Sequence, residues 1–380
     1  MSNTKNNISF FLGANSAGGF VSLYDTWIDQ KNTQAFYVIK GGAGCGKSTL
    51  MKTVAHHLLN MGYEVEYIFC SGDPDSLDGI RIPRKNVAMV DGTAPHRMDP
   101  AYPGATGHYV DLGAGYDREA LFLKREEVIK ATEAYQSCYP LAYACLRMLQ
   151  AKRLEAWAPL RTEVVVRNVE KCAKTFFADV QKKLRTKTGQ RYRRFLGGLT
   201  CQGFYFLDQT PTVLCKSGYV LQGENGLAPL LLENLENGFL AAGYTVVSCP
   251  DPIQPKLLAH LLVPELELAF VTGAVTSGLG YQTIHTESLV ENPGSRALFA
   301  GSCLLCGQGG CLRTEGKPCR YPDRARTSLE ACGFDVARTA KELLGLPLRW
   351  SEGPVLPPYF TLVGGLFTKE KTEESEWTHA

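Results

Sequence analysis

Two stretches of the chain show the same order of apolar and polar positions. In the first, the mostly apolar run 36–40 precedes a glycine-rich stretch, and apolar residues then recur every three to four positions as far as Met61. This spacing predicts a β-strand, a turn and an amphipathic helix. The second stretch, residues 219–235, reads YVLQGENGLAPLLLENL and has the same order. The pattern therefore predicts an α/β chain in which a strand–turn–helix unit occurs twice.

The glycine-rich turn of the first unit carries recognisable chemistry. Residues 41–48, GGAGCGKS, fit G-x-x-x-x-G-K-[ST], which between a strand and a helix is typical of a phosphate-binding P-loop. Glycines let backbone N–H groups face a polyphosphate, and the helix N-terminus adds a positive dipole. Lys47 is expected to reach the β- and γ-phosphates, and Ser48 to ligate Mg²⁺. The predicted ATP-binding residues are Gly42, Gly44, Cys45, Gly46, Lys47, Ser48 and Thr49.

Acidic residues follow two other predicted strands. Asp91 directly follows the four apolar residues VAMV and is expected to hold Mg²⁺ together with Ser48. No glutamate follows Asp91, so either hydrolysis is slow or its catalytic base comes from elsewhere. Asp73, in CSGDPDSLDG, is the candidate that orients a water or a substrate, and a solvated Asx-rich turn is the alternative. His96 is either a γ-phosphate sensor or a plain loop histidine. The predicted catalytic residues are thus Lys47, Asp73 and Asp91.

The two halves of the chain also align outside these units. Three pairs of blocks correspond in order at offsets of 181 to 184 residues: 11–20 with 195–204, 62–70 with 243–251, and 77–95 with 258–276. In this register Lys47 and Ser48 have no equivalents, and Asp91 corresponds to Thr272. The second copy has therefore lost the lysine, the hydroxyl and the acid together. We expect it to be a degenerate copy that does not hydrolyse nucleotide.

Four motifs of the first half occur together in one known family. FLGA, GGAGCGKSTLMK, DPDSLDG and DGTAPH stand at 11–14, 41–52, 73–79 and 91–96. With them the chain resembles an uncharacterised family of prokaryotic tandem P-loop ATPases over residues 1–276, more weakly in the second half. The resemblance implies a P-loop NTPase fold with a parallel sheet and ATPase activity. It implies nucleotide binding through Gly44, Gly46, Lys47 and Ser48.

The middle of the chain has few strand signals. Residues 116–190 are rich in Ala, Leu, Glu, Lys and Arg, and predict a helical insertion of two or three long helices with breaks near Pro140 and Pro159. The insertion leads into a basic run at 181–195, QKKLRTKTGQRYRRF. This run is either a patch for nucleic acid or another anionic partner, or a solvated helix end. We favour the second, because Tyr192 is the one aromatic residue interleaved with the basic residues of the run.

Cysteines are concentrated near the C-terminus. Five of the 13 lie between residues 303 and 332, and four of them have the spacing C-x2-C-x4-C-x7-C: Cys303, Cys306, Cys311 and Cys319. Four thiolates suit an iron–sulfur cluster or tetrahedral zinc. Zinc modules more often contain two C-x2-C pairs, so a cluster is favoured, with zinc and unliganded thiols as alternatives.

The same region resembles a second family. GSCLLC, GKPCRYPDRARTSLEACGFDV and PPYFTLVGGLF, within residues 301–367, are similar to the C-terminal part of a family of predicted metal-binding proteins of unknown function. The resemblance implies a metal centre, iron–sulfur in type, on the four cysteines. The predicted domains are a P-loop NTPase domain (1–115), the helical insertion (116–190), a degenerate P-loop-like repeat (191–290), a cysteine-rich metal module (291–367) and a disordered tail (368–380).

Composition narrows the class of protein. The net charge is +2, which favours neither nucleic acid nor a membrane surface. The N-terminal apolar run is too short for a signal peptide, and charged residues interrupt the apolar stretch 257–275, so we expect a cytoplasmic protein without a membrane partner.

The motifs together predict a Mg²⁺-dependent ATPase coupled to a metal module and acting on an unknown protein or metabolite. The alternatives are a small-molecule kinase and a nucleotide-dependent protein that senses metal or redox state.

Overall fold

The computed structural model describes residues 7–180, 185–223, 225–273 and 280–291. The predictions for the cysteine-rich module and the C-terminal tail fall on residues outside these ranges. Within them the protein is a mixed α/β chain built around two six-stranded sheets, each with helices and a two-stranded hairpin.

The first sheet is formed by the N-terminal part of the chain. Its elements are β1 (Ile8–Phe11), the hairpin β2 (Gly13–Ser16) and β3 (Gly19–Ser22), β4 (Ala35–Lys40), α1 (Lys47–Asn60), β5 (Glu66–Phe69), β6 (Leu77–Ile82), β7 (Val87–Asp91) and β8 (Gly107–Asp111). The strand order is β1-β5-β6-β7-β4-β8. The glycine-rich turn therefore joins a strand that lies between two neighbours to the helix that packs on the sheet.

The predicted parallel sheet is correct only in part. Five strands of the first sheet run in one direction, whereas β6 is antiparallel to both β5 and β7. The connections explain this, because only residues 70–76 join β5 to β6, and the 3₁₀ turn Pro83–Lys85 with Asn86 joins β6 to β7. A parallel crossover needs a dozen or more residues. As a result, β6 begins at the edge where β4 and β7 end.

Three helices follow the first sheet: α2 (Arg118–Leu123), α3 (Arg125–Trp157) and α4 (Glu163–Val180). The break predicted near Pro140 is wrong, since α3 continues through that residue. Proline removes one helical hydrogen bond, but Pro140 is exposed and strong helix formers flank it, so the helix is kept. The break near Pro159 is present as the 3₁₀ turn Ala158–Leu160.

The second sheet repeats the first strand for strand. Its elements are β9 (Arg191–Arg193), β10 (Gly197–Thr200), β11 (Gly203–Phe206), α5 (Gln209–Leu214), β12 (Ser217–Gln222), α6 (Leu227–Ala241), β13 (Val246–Pro250), β14 (Leu258–Val263), β15 (Leu268–Thr272), β16 (Gln282–His285) and α7 (Ser288–Glu291). The order is β9-β13-β14-β15-β12-β16, with β14 antiparallel to its neighbours. An unusual backbone angle also recurs. Asn86 and Glu267 follow equivalent 3₁₀ turns, and both have a positive φ, of 50° and 49°.

Helix α4 belongs to the core of the second sheet. Its buried face includes Val165, Val169 and Phe176, and it packs against α6. The Phe176 ring meets Tyr219 and Phe270 edge to face, with centroids 5.0 and 5.2 Å apart. The last helix of the predicted insertion therefore packs as a layer of the second half.

The two halves meet through equivalent residues. Phe11 and Phe195, which correspond in the sequence alignment, exchange both of their backbone hydrogen bonds at 2.9 Å. Two further backbone bonds are exchanged between hairpin turns and the facing loops: Cys201 N–H to the Gly72 carbonyl (2.9 Å) and Ala17 N–H to the Ile253 carbonyl (3.0 Å). Reciprocal contacts of this kind define an approximate two-fold axis. The axis passes close to Phe11 and Phe195.

Candidate functional site

The glycine-rich turn encloses a buried lysine. Helix α1 begins after Gly46, whose φ of 96° lies in the left-handed region that favours glycine. The Lys47 ammonium donates hydrogen bonds to the carbonyls of Gly41 (2.9 Å) and Gly42 (2.7 Å), and it lies 3.5 Å from Asp91 Oδ2. Lys47 is 9% exposed. The turn thus holds a fixed positive charge at the N-terminus of a helix.

Asp91 reaches this lysine because of strand pairing. β7 lies beside β4 in parallel, with Asp91 opposite Ile39 at the edge where the turn begins. Asp91 Oδ1 accepts a hydrogen bond from the Thr93 N–H at 2.9 Å, which leaves Oδ2 facing Lys47. Ser48 Oγ accepts from the Leu77 N–H at 2.9 Å, at the start of β6. The structure therefore brings Lys47 and Asp91 together, with Ser48 one residue along the same helix.

Two side chains contact the glycine-rich turn: Cys45, which belongs to it, and Tyr116, which comes from another part of the chain. A Cβ at Gly41 would lie 2.5 Å from Cys45 Sγ, and the φ of Gly41 is 156°, so a larger residue there would displace the Cys45 thiol and strain the turn. The Gly42 N–H donates a hydrogen bond to the hydroxyl of Tyr116, which follows β8. The sequence does not single out Tyr116, because it lies 74 residues from Gly42 and belongs to no motif.

Asp73 is held within its own turn. Its Oδ1 accepts from the Asp75 N–H at 3.1 Å, and its Oδ2 accepts from the Ser76 hydroxyl at 2.7 Å. These bonds match the Asx-turn alternative rather than a carboxylate aimed at a substrate. The turn also faces the second half, because the Gln202 amide donates to Asp75 Oδ2 at 2.8 Å. The catalytic role of Asp73 stays a prediction.

A cluster of buried ionisable groups lies at the same edge of the sheet. Asp78, Asp91 and His96 each offer a ligand atom, and these atoms all lie within 4.8 Å of one another. Asp78 enters the cluster because β6 runs antiparallel and begins beside the end of β7. Burial raises the pKa of Asp78, whose Oδ2 accepts a hydrogen bond from Tyr24 at 2.9 Å. The sequence points to Asp91 and His96 separately, but it does not show that Asp78 joins them.

Side chains from other elements fill the second turn. A Cβ at Gly226 would lie 2.4 Å from the Trp157 ring at the end of α3, and the Arg161 guanidinium donates to the Gly226 carbonyl at 3.4 Å. Across the turn, the Thr286 N–H donates to the Gln222 carbonyl at 2.8 Å. The second turn is thus packed against the end of α3 and the end of β16.

The described part of the basic run contacts acids from elsewhere in the chain. Arg185 and Lys187 both bridge to Glu265, at 2.6 and 2.7 Å. Arg191 bridges to Glu236 at 3.0 Å, and buried Arg194 lies 3.4 Å from Glu66. These pairs neutralise much of the charge that suggested an anionic partner, so the geometry gives that alternative no support.

Comparisons with known proteins match two parts of the chain. Residues 280–366 match the family described as predicted metal-binding protein (DUF2284). The C-terminal segment is therefore similar to predicted metal-binding proteins. Residues 21–81, which include the glycine-rich turn, match the family described as Nephrocystin 3, N-terminal. No family of P-loop ATPases matches, so that resemblance stays a prediction.

No curated protein and no solved structure matches the chain. The four candidate ligands Cys303, Cys306, Cys311 and Cys319 fall within the matched metal-binding segment but outside the described residues. Among the helices that the structure describes, none combines the length and the apolar character needed to cross a membrane.

Proposed function

We propose that the protein binds Mg²⁺–ATP at residues 41–49 and hydrolyses it. One observation carries this proposal: the Lys47 ammonium lies between the glycine-turn carbonyls and the Asp91 carboxylate of the neighbouring strand, at the N-terminus of a helix. Lys47 would neutralise the β- and γ-phosphates, while Ser48 and Asp91 would hold Mg²⁺. The backbone of Gly42, Gly44, Cys45, Gly46 and Thr49 would surround the phosphates.

The charges of the site fit an incoming anion and cation together. Lys47 and Asp91 are both largely buried, so each depends on the other for charge compensation. A triphosphate offers Lys47 a second anion, and Mg²⁺ offers Asp91 a second cation. Mg²⁺ alone would draw Asp91 away from Lys47, and nucleotide alone would draw Lys47 away from Asp91. In each case one buried charge would lose part of its compensation. We therefore expect nucleotide and Mg²⁺ to bind cooperatively.

A lysine pair in α1 provides the test. Lys47→Ala should weaken Mg²⁺–ATP binding at least about tenfold in calorimetry, because a charge-assisted hydrogen bond contributes about 1.5–3 kcal/mol. Lys52→Ala is the matched control, since Lys52 is an exposed lysine of the same helix. Equal affinity in the Lys47→Ala and wild-type proteins would refute the site.

For the C-terminal segment we propose a metal centre on Cys303, Cys306, Cys311 and Cys319, of the iron–sulfur type, with zinc as the alternative. The similarity to predicted metal-binding proteins supports a metal, and the thiolate spacing supports the type of centre. Iron, sulfide and zinc analysis of anaerobically purified protein separates the two. Cys303→Ser should lose the metal, and Cys201→Ser, which changes an exposed thiol of the second half, should retain it.

The two sites would act together if ATP turnover drove a change at the metal centre or in a partner bound there. ATPase rates of the full chain with the centre reconstituted, with the centre removed, and in Cys303→Ser test this coupling. We expect the rate to change when the centre is lost. Equal rates in all three would refute coupling and leave the ATPase proposal standing.

A further inference from the structure

The geometry points to a second metal site, formed by Asp78, Asp91 and His96, for a divalent transition ion such as Zn²⁺, Mn²⁺ or Fe²⁺. It is distinct from the C-terminal cysteines and lies at the edge of the first sheet. All three residues are more than nine-tenths buried, and their ligand atoms lie within 4.8 Å of one another. The proposal does not depend on nucleotide binding, although both sites share Asp91.

His96 is the residue that points to an ion. Neither of its ring nitrogens has a hydrogen-bond partner among the described residues, although the side chain is only 5% exposed. A buried polar group without a partner costs about 1–3 kcal/mol. Nε2 lies 3.9 Å from Asp78 Oδ2, which is too long for a hydrogen bond. Two ligands on one ion at about 2.0–2.2 Å can be that far apart.

Tyr24 fixes two of the proposed ligands at once. Its ring stacks on the His96 ring, with centroids 4.6 Å apart and planes 11° from parallel. Its hydroxyl donates to Asp78 Oδ2 at 2.9 Å. Residues that orient ligands in this way commonly change metal affinity 10- to 100-fold when they are altered. Tyr24 is therefore a positioning residue of the site.

The loop that carries His96 is held at both ends. The Lys40 ammonium donates to the carbonyls of Gly92 (2.9 Å) and Met98 (2.8 Å), and it pairs with Asp99 at 2.8 Å. The loop therefore leaves the end of β7 and returns to the same lysine, with His96 between the two anchors. This keeps the imidazole beside the two carboxylates.

The donor set selects the class of ion. Mg²⁺ and Ca²⁺ prefer oxygen ligands alone, whereas imidazole suits Zn²⁺ and Fe²⁺, and carboxylates suit Mn²⁺. Two carboxylates can neutralise the charge of a divalent ion. Lys47, 3.5 Å from Asp91 Oδ2, is the cation with which such an ion would compete. A transition ion should accordingly bind more weakly to the wild-type protein than to Lys47→Ala.

Cobalt distinguishes this site from the cysteines in the full chain. Co²⁺ on nitrogen and oxygen ligands gives visible ligand-field bands without thiolate charge transfer. We expect wild-type protein, without nucleotide, to bind one such Co²⁺, and His96→Gln and Tyr24→Phe each to weaken it at least about tenfold. His56→Gln, which changes an exposed histidine of α1, should leave binding unchanged. Equal Co²⁺ affinity in wild-type and His96→Gln proteins would overturn the proposal.

A second measurement distinguishes loss of the metal site from loss of folding in the variants. Zn²⁺ should raise the thermal unfolding midpoint of the wild-type and His56→Gln proteins and should raise that of folded Asp78→Asn much less. Asparagine keeps the size of Asp78 and an acceptor for Tyr24. Full Zn²⁺ stabilisation of Asp78→Asn would contradict the site. Neither measurement uses ATP, so failure of the nucleotide proposal would leave both results interpretable.

Discussion

Two buried histidines, His96 and His260, have different surroundings. His260, in β14, accepts a hydrogen bond from the Thr272 N–H at Nδ1 (3.1 Å) and packs its ring edge to face on Phe206. It is a core histidine whose lowered pKa, caused by burial, keeps the ring neutral. His96 has stacking partners but no such bond to its nitrogens within the described residues. At the residue scale, this difference separates a packing residue from a candidate ligand.

The neutral state of His260 predicts a pH dependence of stability. Burial lowers its pKa to about 3, whereas an unfolded histidine has a pKa near 6.5. Between these values the unfolded chain binds one more proton, so stability falls as the pH drops below about 6.5, by about 1.4 kcal/mol per pH unit.

His260→Asn should remove this contribution while keeping an acceptor for Thr272. The loss in free energy of unfolding between pH 7 and pH 5 should be smaller in the variant by about 2 kcal/mol, measured by urea unfolding at both pH values. Each protein is compared with itself, so any cost of the substitution at pH 7 cancels. An equal pH dependence in the two proteins would show that His260 does not stay neutral.

At the scale of elements, α4 is the part of the predicted insertion that the core depends on. Its buried residues lie against α6 and the second sheet, whereas none of the residues of α3 is buried. The two helices therefore have different roles. Helix α3 carries Trp157 to the second glycine turn, and α4 covers one face of the sheet behind that turn.

A pair of phenylalanines tests this division. Phe176→Ala should destabilise the protein by about 3–5 kcal/mol, since it removes a ring that contacts Tyr219 and Phe270 and leaves a cavity. Phe122→Ala is the control, because Phe122, in α2, is 75% exposed and should change stability by less than about 0.5 kcal/mol. Chemical denaturation measures both. A small effect of Phe176→Ala would mean that α4 is not part of the cooperative core.

At the scale of the whole molecule, a buried ion pair joins the two halves of the described chain. Arg194, 4% exposed, comes from the second half and lies 3.4 Å from Glu66 of the first, which also faces Arg81 at 3.7 Å. Burial lowers the pKa of Arg194, and the charge of Glu66 opposes that shift. The ion pair favours this contact between the two halves, because Arg194 would be strongly unfavourable here without a charged partner.

Glu66→Gln should therefore destabilise the protein by about 3 kcal/mol, because it leaves Arg194 buried without its charge partner. Adding Arg194→Met should recover part of this loss. Glu64→Gln is the matched control, since Glu64 and its partner Arg84 are both about two-thirds exposed, and it should cost less than about 1 kcal/mol. Equal costs of Glu66→Gln and Glu64→Gln in urea unfolding would contradict a structural role for the buried pair.

Local sequence patterns predict the two strand–turn–helix units and the aligned blocks of the two halves. The glycines and the apolar spacing that define each unit, and the lysine of the first, all lie within a short stretch of sequence. Contacts between residues that are far apart in the sequence are not predictable from such local patterns. Tyr116 reaches Gly42, and Trp157 reaches Gly226, only because β8 and α3 return to the turns. The antiparallel direction of β6, which brings Asp78 to His96, follows from loop lengths that the hydrophobic pattern does not weigh.

The exchange of equivalent contacts around Phe11 and Phe195 has a consequence for how the protein can change. In a homodimer, one gene encodes both copies, so any substitution alters both sites together. In this chain the same two-fold contact joins two separately encoded copies. One copy can then lose its lysine and acquire a tryptophan neighbour while the other keeps its charges. Two copies within one chain can therefore come to differ in sequence, whereas the two copies of a homodimer cannot.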